Sequence, residues 1–496
     1  MCVTNNDFGA GPDKRDIVLW ADHRADKEAA EINASGSMVL KYVGETMSLE
    51  MELPKILWLK RNMPAELFDS CMFFDLPDFL TYRATANLAR SNCSLGCKCS
   101  YVPPEIPGSQ GWNAELFNKI GLSDMVKDDF SALGGQPGKS KHLIHTAGQP
   151  IGKGLSKQAA DELGLVEGTA VASGVIDAYA GWIGTIAAPM PDLGHKTVDL
   201  KESRHRLAAI AGTSTCHIVQ SPEAVFVPGV WGPYLHAVFP GYWMNEGGQS
   251  STGQLLDFML ETHPAYDKLL KQAKQNGVNH FVLLGQLLEE LQKEQGAPFL
   301  TYLTRELHIY PDLHGNRSPL ADATMRGMIV GLALDKGVKD LALRYLATCE
   351  AIALQTRHII EDMNKHGHDI QYLFMSGGLV KNRVLMQLLA DICGIPIQLP
   401  FSHSASVVLG SAMLGAAAAA EAAKGPITNQ EEAADRAKQM SPELWKIMEK
   451  MSRPGTTVVP AAGEKEKKLL EVKYKIFHAM ISHQRQFRKD VADALA

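Results

Sequence analysis

The residues best placed to do chemistry are a few polar side chains that stand beside glycines. Asp177 is the clearest, in V-A-S-G-V-I-D-A-Y-A-G-W-I-G-T over 171–185. An apolar, β-leaning run (170–172) reaches Gly174, one carboxylate follows, and 178–184 is a small-residue segment that lets a helix pack closely. An acid where a strand ends sits where ligands meet backbone, and a carboxylate there can take a proton from a hydroxyl. The same pattern also reads as a helix N-cap, a role that Asp fills well.

Asp22 and Arg24 follow directly on the apolar run 17–20, which reads as a short buried strand. A carboxylate acceptor beside a forked guanidinium suits a polyol, and an ordinary ion pair at a strand end is the alternative. Glu246 lies in N-E-G-G-Q-S-S-T-G (245–253), where Gly247 and Gly248 allow close backbone approach. It could meet a substrate, or the stretch is a flexible loop capped by Ser250.

Two glycine turns have the character of phosphate or nucleotide cradles. Gly212, Thr213 and Ser214 join apolar runs 207–210 and 216–219, which predicts a hairpin whose amides and hydroxyls face outward. Gly377, Gly378 and Asn382 fall between the apolar run 372–375 and a helix over 383–392, which puts bare backbone at a helix N-terminus. The spacing is not G-x-G-x-x-G, so a dinucleotide site is not indicated.

Two further patterns are decoys. In 134–140 (G-G-Q-P-G-K-S) a P-loop would need glycine where Leu133 stands, and 143–148 reads as strand and turn rather than helix. Cys93, Cys97 and Cys99 lack the paired C-x2-C spacing of structural zinc and read as small buried residues.

The elements that must position these groups read as alternating strands and helices. Helices are predicted over 25–32, 56–61, 156–163, 254–260, 280–300 and 339–365, and strands around 231–243 and 395–399, with a polar, irregular boundary at 189–206. The Ala- and Gly-rich stretch 405–423 reads as a closely packed buried helix, too weakly apolar to span a membrane. After 424–426 the chain turns to charged helices, either largely solvated or clasping the body.

The 496 residues allow two or three domains. A net charge of -6 argues against a general nucleic-acid surface, and eight cysteines with a polar N-terminus read as reduced thiols in a cytoplasmic protein.

As a set, these pieces resemble the FGGY carbohydrate kinases and, within them, the ribulokinase-like branch. The matching stretches are W-A-D-H-R-A (20–25), M-E-L-P-K-I-L-W-L-K (51–60), D-L-P-D-F-L-T (75–81), G-V-I-D-A-Y-A-G (174–181), A-G-T-S-T (211–215), E-G-G-Q-S-S-T-G (246–253), G-N-R-S-P (315–319), S-G-G-L-V-K-N (376–382) and G-S-A-M-L-G-A (410–416).

The resemblance implies an α/β protein with two actin-like ATPase (ribonuclease H-like) domains around a central cleft, over 1–188 and 207–423, and a helical tail over 424–496. It implies ATP-dependent phosphorylation of a ketopentose such as D-ribulose, with ATP and Mg²⁺. Asp177 matches the catalytic base. Gly212, Thr213 and Ser214 match a phosphate loop, and Gly377, Gly378 and Asn382 an adenosine loop. Glu246, Asp22 and Arg24 fall where sugar is touched. The expected partner is a small sugar, with no nucleic acid and no membrane, and a homodimer is left open.

Family members open with a D-x-G-T-x-S hairpin carrying a Mg²⁺-linked Asp, and no such run precedes Trp20. The expectation is therefore an N-terminally incomplete first domain. The alternative function is a catalytically impaired actin-fold protein that binds sugar or nucleotide as a regulator.

Overall fold

The structure, a computed structural model, describes residues 2–3, 17–137, 139, 142–194 and 199–496. Its first lobe is mainly helical. Helices α1 (Glu52–Asn62), α2 (Leu76–Thr85) and α3 (Asn92–Lys98) belong to it, and in its aromatic centre Trp112 and Phe117 meet Phe130 at 5.9 and 5.0 Å between ring centroids. The strands described there are two-residue pairs, Met72–Phe73 with Cys2–Val3 and Arg90–Ser91 with Ile144–His145.

Residues 17–20 are not the buried strand that their composition predicts. They are irregular, with Ile17 and Leu19 exposed, and no described strand runs beside them. Lys55 Nζ takes the place of a sheet neighbour, donating to the carbonyls of Leu19, Trp20 and Asp22 at 3.1, 3.0 and 2.8 Å.

The second lobe carries a seven-stranded sheet. In chain order its strands are β1 (Arg206–Ala211), β2 (Thr215–Ser221), β3 (Trp231–Leu235), β4 (Trp243–Gln249), β5 (Tyr372–Ser376), β6 (Ile397–Leu399) and β7 (Thr456–Val458). Across the sheet the order is β7-β6-β5-β1-β2-β4-β3, with β5 parallel to both β1 and β6 and the other pairs antiparallel.

Alternation along β1 sorts its side chains onto two faces. Leu207 and Ala209 join a core with the long helix Val338–Lys365, while Ala208 joins the core of the first lobe.

The helix that carries Asp177, α4 (Asp177–Ile186), belongs to the first half of the chain but lies against this sheet. Its Gly181 rests on Ile210. Further on come α5 (Gly253–Glu261), α6 (Val338–Lys365), α7 (Arg383–Cys393) and α8 (Ser406–Ala422). Helices α4 and α8 cross at Gly184 and Gly410. A Cβ at Gly184 would fall 2.0 Å from the Ser406 carbonyl oxygen, and one at Gly410 would fall 1.9 Å from that of Ala180. The small residues of 178–184 thus let α4 sink between sheet and α8, which fixes where its first residue stands. Arg206 secures the other end, donating to the Ile186 and Ala188 carbonyls at 2.7 and 3.0 Å as a cation at a helix C-terminus does.

Residues 424–496 clasp the body. Helix α9 (Gln430–Met451) buries Met440, Leu444 and Met448 in the first-lobe core, β7 extends the second-lobe sheet, and α10 (Glu464–Leu495) buries Leu470, Phe477 and Ile481 on the second lobe. Among the described residues no helix is long and apolar enough to cross a membrane.

Candidate active site

Asp177 is the first residue of α4, preceded by extended Ile176 as its N-cap. Its Oδ1 accepts from Ala178 N–H at 2.7 Å, and the residue is exposed on the wall of a cavity of about 410 Å³. The same cavity is lined by Gly212, Thr213 and Ser214 and by Glu246. Three of the groups singled out in the sequence, from stretches up to 69 residues apart, therefore meet at one place.

The Gly212–Ser214 bend joins β1 to β2 as expected. It is held from behind by the start of α5: Thr252 N–H and Gly253 N–H donate to the carbonyls of Thr213 and Gly212 at 2.9 and 3.2 Å, and the Thr215 and Thr252 hydroxyls meet at 2.8 Å. The bend is thus rigid where it faces the helix and open where it faces the cavity.

Glu246 departs from the loop expectation. It lies in β4, 2 % exposed, paired across the strand with Ile218. One carboxylate oxygen is bound by Arg317 Nη2, and Oε2 has no partner among the described residues.

Arg317 is itself buried, stacked 3.8 Å from the centre of the Trp231 ring, with Nη1 3.8 Å from Glu50 and 3.6 Å from the Cys216 sulfur. Burial opposes its charge, but Glu50, Cys216 and Glu246 outweigh that and raise its pKa. Burial also opposes charge on Lys98, yet Glu246 and Glu50 outweigh this and the nearby Arg317, so its pKa too is raised. The Lys98 ammonium lies 4.6 Å from the Trp231 ring and lines the cavity, with no hydrogen bond or ion pair to another described residue.

Gly377, Gly378 and Asn382 do not line this cavity; they adjoin it one strand away. Ser376 pairs with Ile210, and Gly377, at φ 95°, presses on Ala211, whose carbonyl oxygen would sit 2.2 Å from a Cβ there. Gly378 faces open space. The Asn382 side chain turns inward, accepting from Leu385 N–H at 3.0 Å and from the Tyr345 hydroxyl at 2.8 Å, so it caps α7 and supports the glycine turn.

Asp22 and Arg24 do not reach the cavity. They bind each other at 2.6 Å, Arg24 lies over Trp58, and only Trp20 of that stretch lines the wall. The irregular course of 17–20 explains this: without a strand to aim them, the two side chains satisfy one another.

Asp75, Glu50, Lys98 and Arg317 are cavity residues that sequence reasoning did not single out. Arg317 and Asp75 do stand in stretches that carried the resemblance, G-N-R-S-P and D-L-P-D-F-L-T. Lys98 was masked by the cysteines around it, which are buried thiols as expected. Among the described residues no group of three or more His, Cys, Asp or Glu is placed to hold a metal ion.

Comparison with known proteins places this geometry in a class. The FGGY family of carbohydrate kinases, C-terminal domain, matches residues 207–419. A xylulose kinase from Rhodospirillum rubrum superposes with a TM-score of 0.64 at 20 % identity, covering 94 % of this chain and 79 % of that one, which shows a shared fold, the two-lobed actin-like ATPase architecture of sugar kinases.

Sequence relatives are more specific. A D-ribulokinase of Saccharomyces cerevisiae is 49 % identical over 431 residues, and this chain spans 84 % of its own length but 60 % of the yeast protein's. The FGGY carbohydrate kinase domain-containing protein of Homo sapiens is 42 % identical over 479 residues, 96 % of this chain and 80 % of the human one. The chain belongs to the FGGY family of carbohydrate kinases.

Proposed function

We propose that this protein transfers the γ-phosphoryl group of ATP to a hydroxyl of a free ketopentose such as D-ribulose, with Asp177 as general base. The observation that carries this reading is the single cavity shared by the exposed Asp177 carboxylate and the Gly212–Ser214 bend.

A sugar hydroxyl is a weak nucleophile at neutral pH, and a carboxylate within hydrogen-bond reach takes its proton as the bond to phosphorus forms. The rest of phosphoryl transfer is positioning and charge stabilisation. The bend supplies amides and hydroxyls to the phosphates, with the Gly377–Gly378 turn as a shelf for the adenosine and Asn382 as its support. Glu246 Oε2 accepts from sugar hydroxyls and the Lys98 ammonium donates to them. The preference for D-ribulose rests on the name of the yeast relative, which is similar along most of this chain.

Mg²⁺ fits a site of this kind, because it is commonly held by one or two carboxylates together with substrate phosphates, and Asp177 offers an exposed carboxylate beside the bend. When bound, it would neutralise phosphate charge.

One observation favours a second reading, a sugar- or nucleotide-binding regulator: the described strands of the first lobe are two-residue pairs, against a seven-stranded sheet in the second. Sugar-dependent ADP formation separates the two. The kinase reading expects ADP from ATP only when a pentulose and Mg²⁺ are both present; binding without turnover would favour the regulator.

A further inference from the structure

We propose that Asp75 is a specificity-determining residue, whose carboxyl hydrogen-bonds a sugar hydroxyl at the end of the cavity away from the Gly212–Ser214 bend. The inference rests on the sugar-binding reading above and concerns a residue that no sequence pattern had assigned.

Three observations carry it. Asp75 is the N-cap of α2, in the extended conformation that lets Asp cap a helix (φ -71°, ψ 157°), yet its carboxyl makes no cap hydrogen bond. Its Oδ2 is buried with no partner among the described residues. Buried carboxylate oxygens are seldom left unpaired, and a ligand hydroxyl would satisfy this one. Third, Asp75 occupies a particular end of the site. With Trp20, Glu50 and Lys98 it lines both the main cavity and a second space of about 160 Å³ beyond it, which Asp177 and the bend do not reach.

A sugar whose reacting hydroxyl lies at Asp177 would direct its far hydroxyls there. Burial and the neighbouring Glu52 push the Asp75 carboxyl up to about 7 against the pull of Lys98, so near neutral pH it both donates and accepts. A buried polar group built to bond one hydroxyl rejects the epimer that leaves it unpaired.

The test is sugar binding by calorimetry, beside turnover, for a panel of pentuloses epimeric at single carbons, with the full chain and its Asp75→Asn, Asp75→Ala and Asp75→Glu variants. Asn is as good an N-cap as Asp, so Asp75→Asn keeps the helix start. The expected result is that the chain prefers one pentulose. Asp75→Ala should weaken that sugar at least 10-fold and compress the preference among epimers to within about 3-fold, with smaller losses for Asn or Glu.

Unchanged affinities and ranking in a folded Asp75→Ala chain would overturn the assignment. So would a wild-type chain that binds no pentulose. Pentulose binding that depends on Asp75 but yields no ADP would uphold it while defeating the kinase reading.

Discussion

At the scale of single residues, the site is a set of charges that hold one another in place. Arg317 lies between Glu246 and Glu50 on the face of Trp231, with almost no access to water. Removing one partner of such a buried pair strands the other's charge, a loss on the order of 3–5 kcal/mol. We expect Arg317→Met to lower stability by about that much in urea unfolding, and the Arg317→Met, Glu246→Gln double variant to recover part of it. Equal losses in single and double variants would show that the pair is not the source.

Asp75 gives a pH-dependent counterpart. Its carboxyl holds a proton up to about pH 7 in the folded chain, against an ordinary value of 3.8. The folded state therefore binds that proton more tightly than the unfolded one, and stability falls as pH rises between those values. Asp75→Asn removes this slope. Its Tm should match the parent near pH 4 and exceed it at pH 8, by about 1 °C for each ~1 kcal/mol in a chain of this size.

At the scale of elements, a crossing of two small-residue helices decides where Asp177 stands. Helices α4 and α8 touch backbone to backbone at Gly184 and Gly410, and α4 rests on β1 through Gly181. Gly410→Val adds atoms where even a Cβ would lie 1.9 Å from the Ala180 carbonyl oxygen. We expect a loss of about 1–3 kcal/mol or more in thermal unfolding, with turnover falling in chains that remain folded, because Asp177 shifts with its helix.

Much of this scale was legible in advance. Small residues after Asp177 predicted a closely packed helix, and the Gly-Thr-Ser turn predicted the β1–β2 hairpin. What was not legible depended on neighbours distant in sequence. Ile17 to Trp20 has the composition of a strand but finds Lys55 where a strand would be. Glu246 reads as a loop residue beside two glycines, yet β2 pairs with it along β4. Arg317 has no local periodicity to reveal it, only the company it keeps after folding.

At the scale of the molecule, the last 73 residues (424–496 of 496) tie the lobes together. Helix α9 is seated on the first lobe and α10 on the second, with β7 between them on the sheet edge. The anchor of α10 is Lys473, buried and donating to the Thr304 hydroxyl at 2.7 Å and to Glu350 at 2.5 Å. Lys473→Met should destabilise the chain by about 3–5 kcal/mol, since Glu350 would be left charged and buried, and pairing it with Glu350→Gln should restore much of that. Limited proteolysis at α10, faster in the single variant than in the double, would check it. Charge composition alone had left this segment either solvated or clasping; the apolar stripe of Leu470, Phe477 and Ile481 decides for the clasp.

The central claim is that Asp177 takes the proton from a sugar hydroxyl beside the Gly212–Ser214 bend. The most direct measurement is sugar-dependent ADP release from the purified chain with ATP, Mg²⁺ and D-ribulose, compared with Asp177→Asn at equal folding and equal sugar affinity. A fall in kcat of about 10²- to 10⁴-fold with KM for the sugar little changed is the predicted result. A folded Asp177→Asn chain that keeps its full kcat would contradict it.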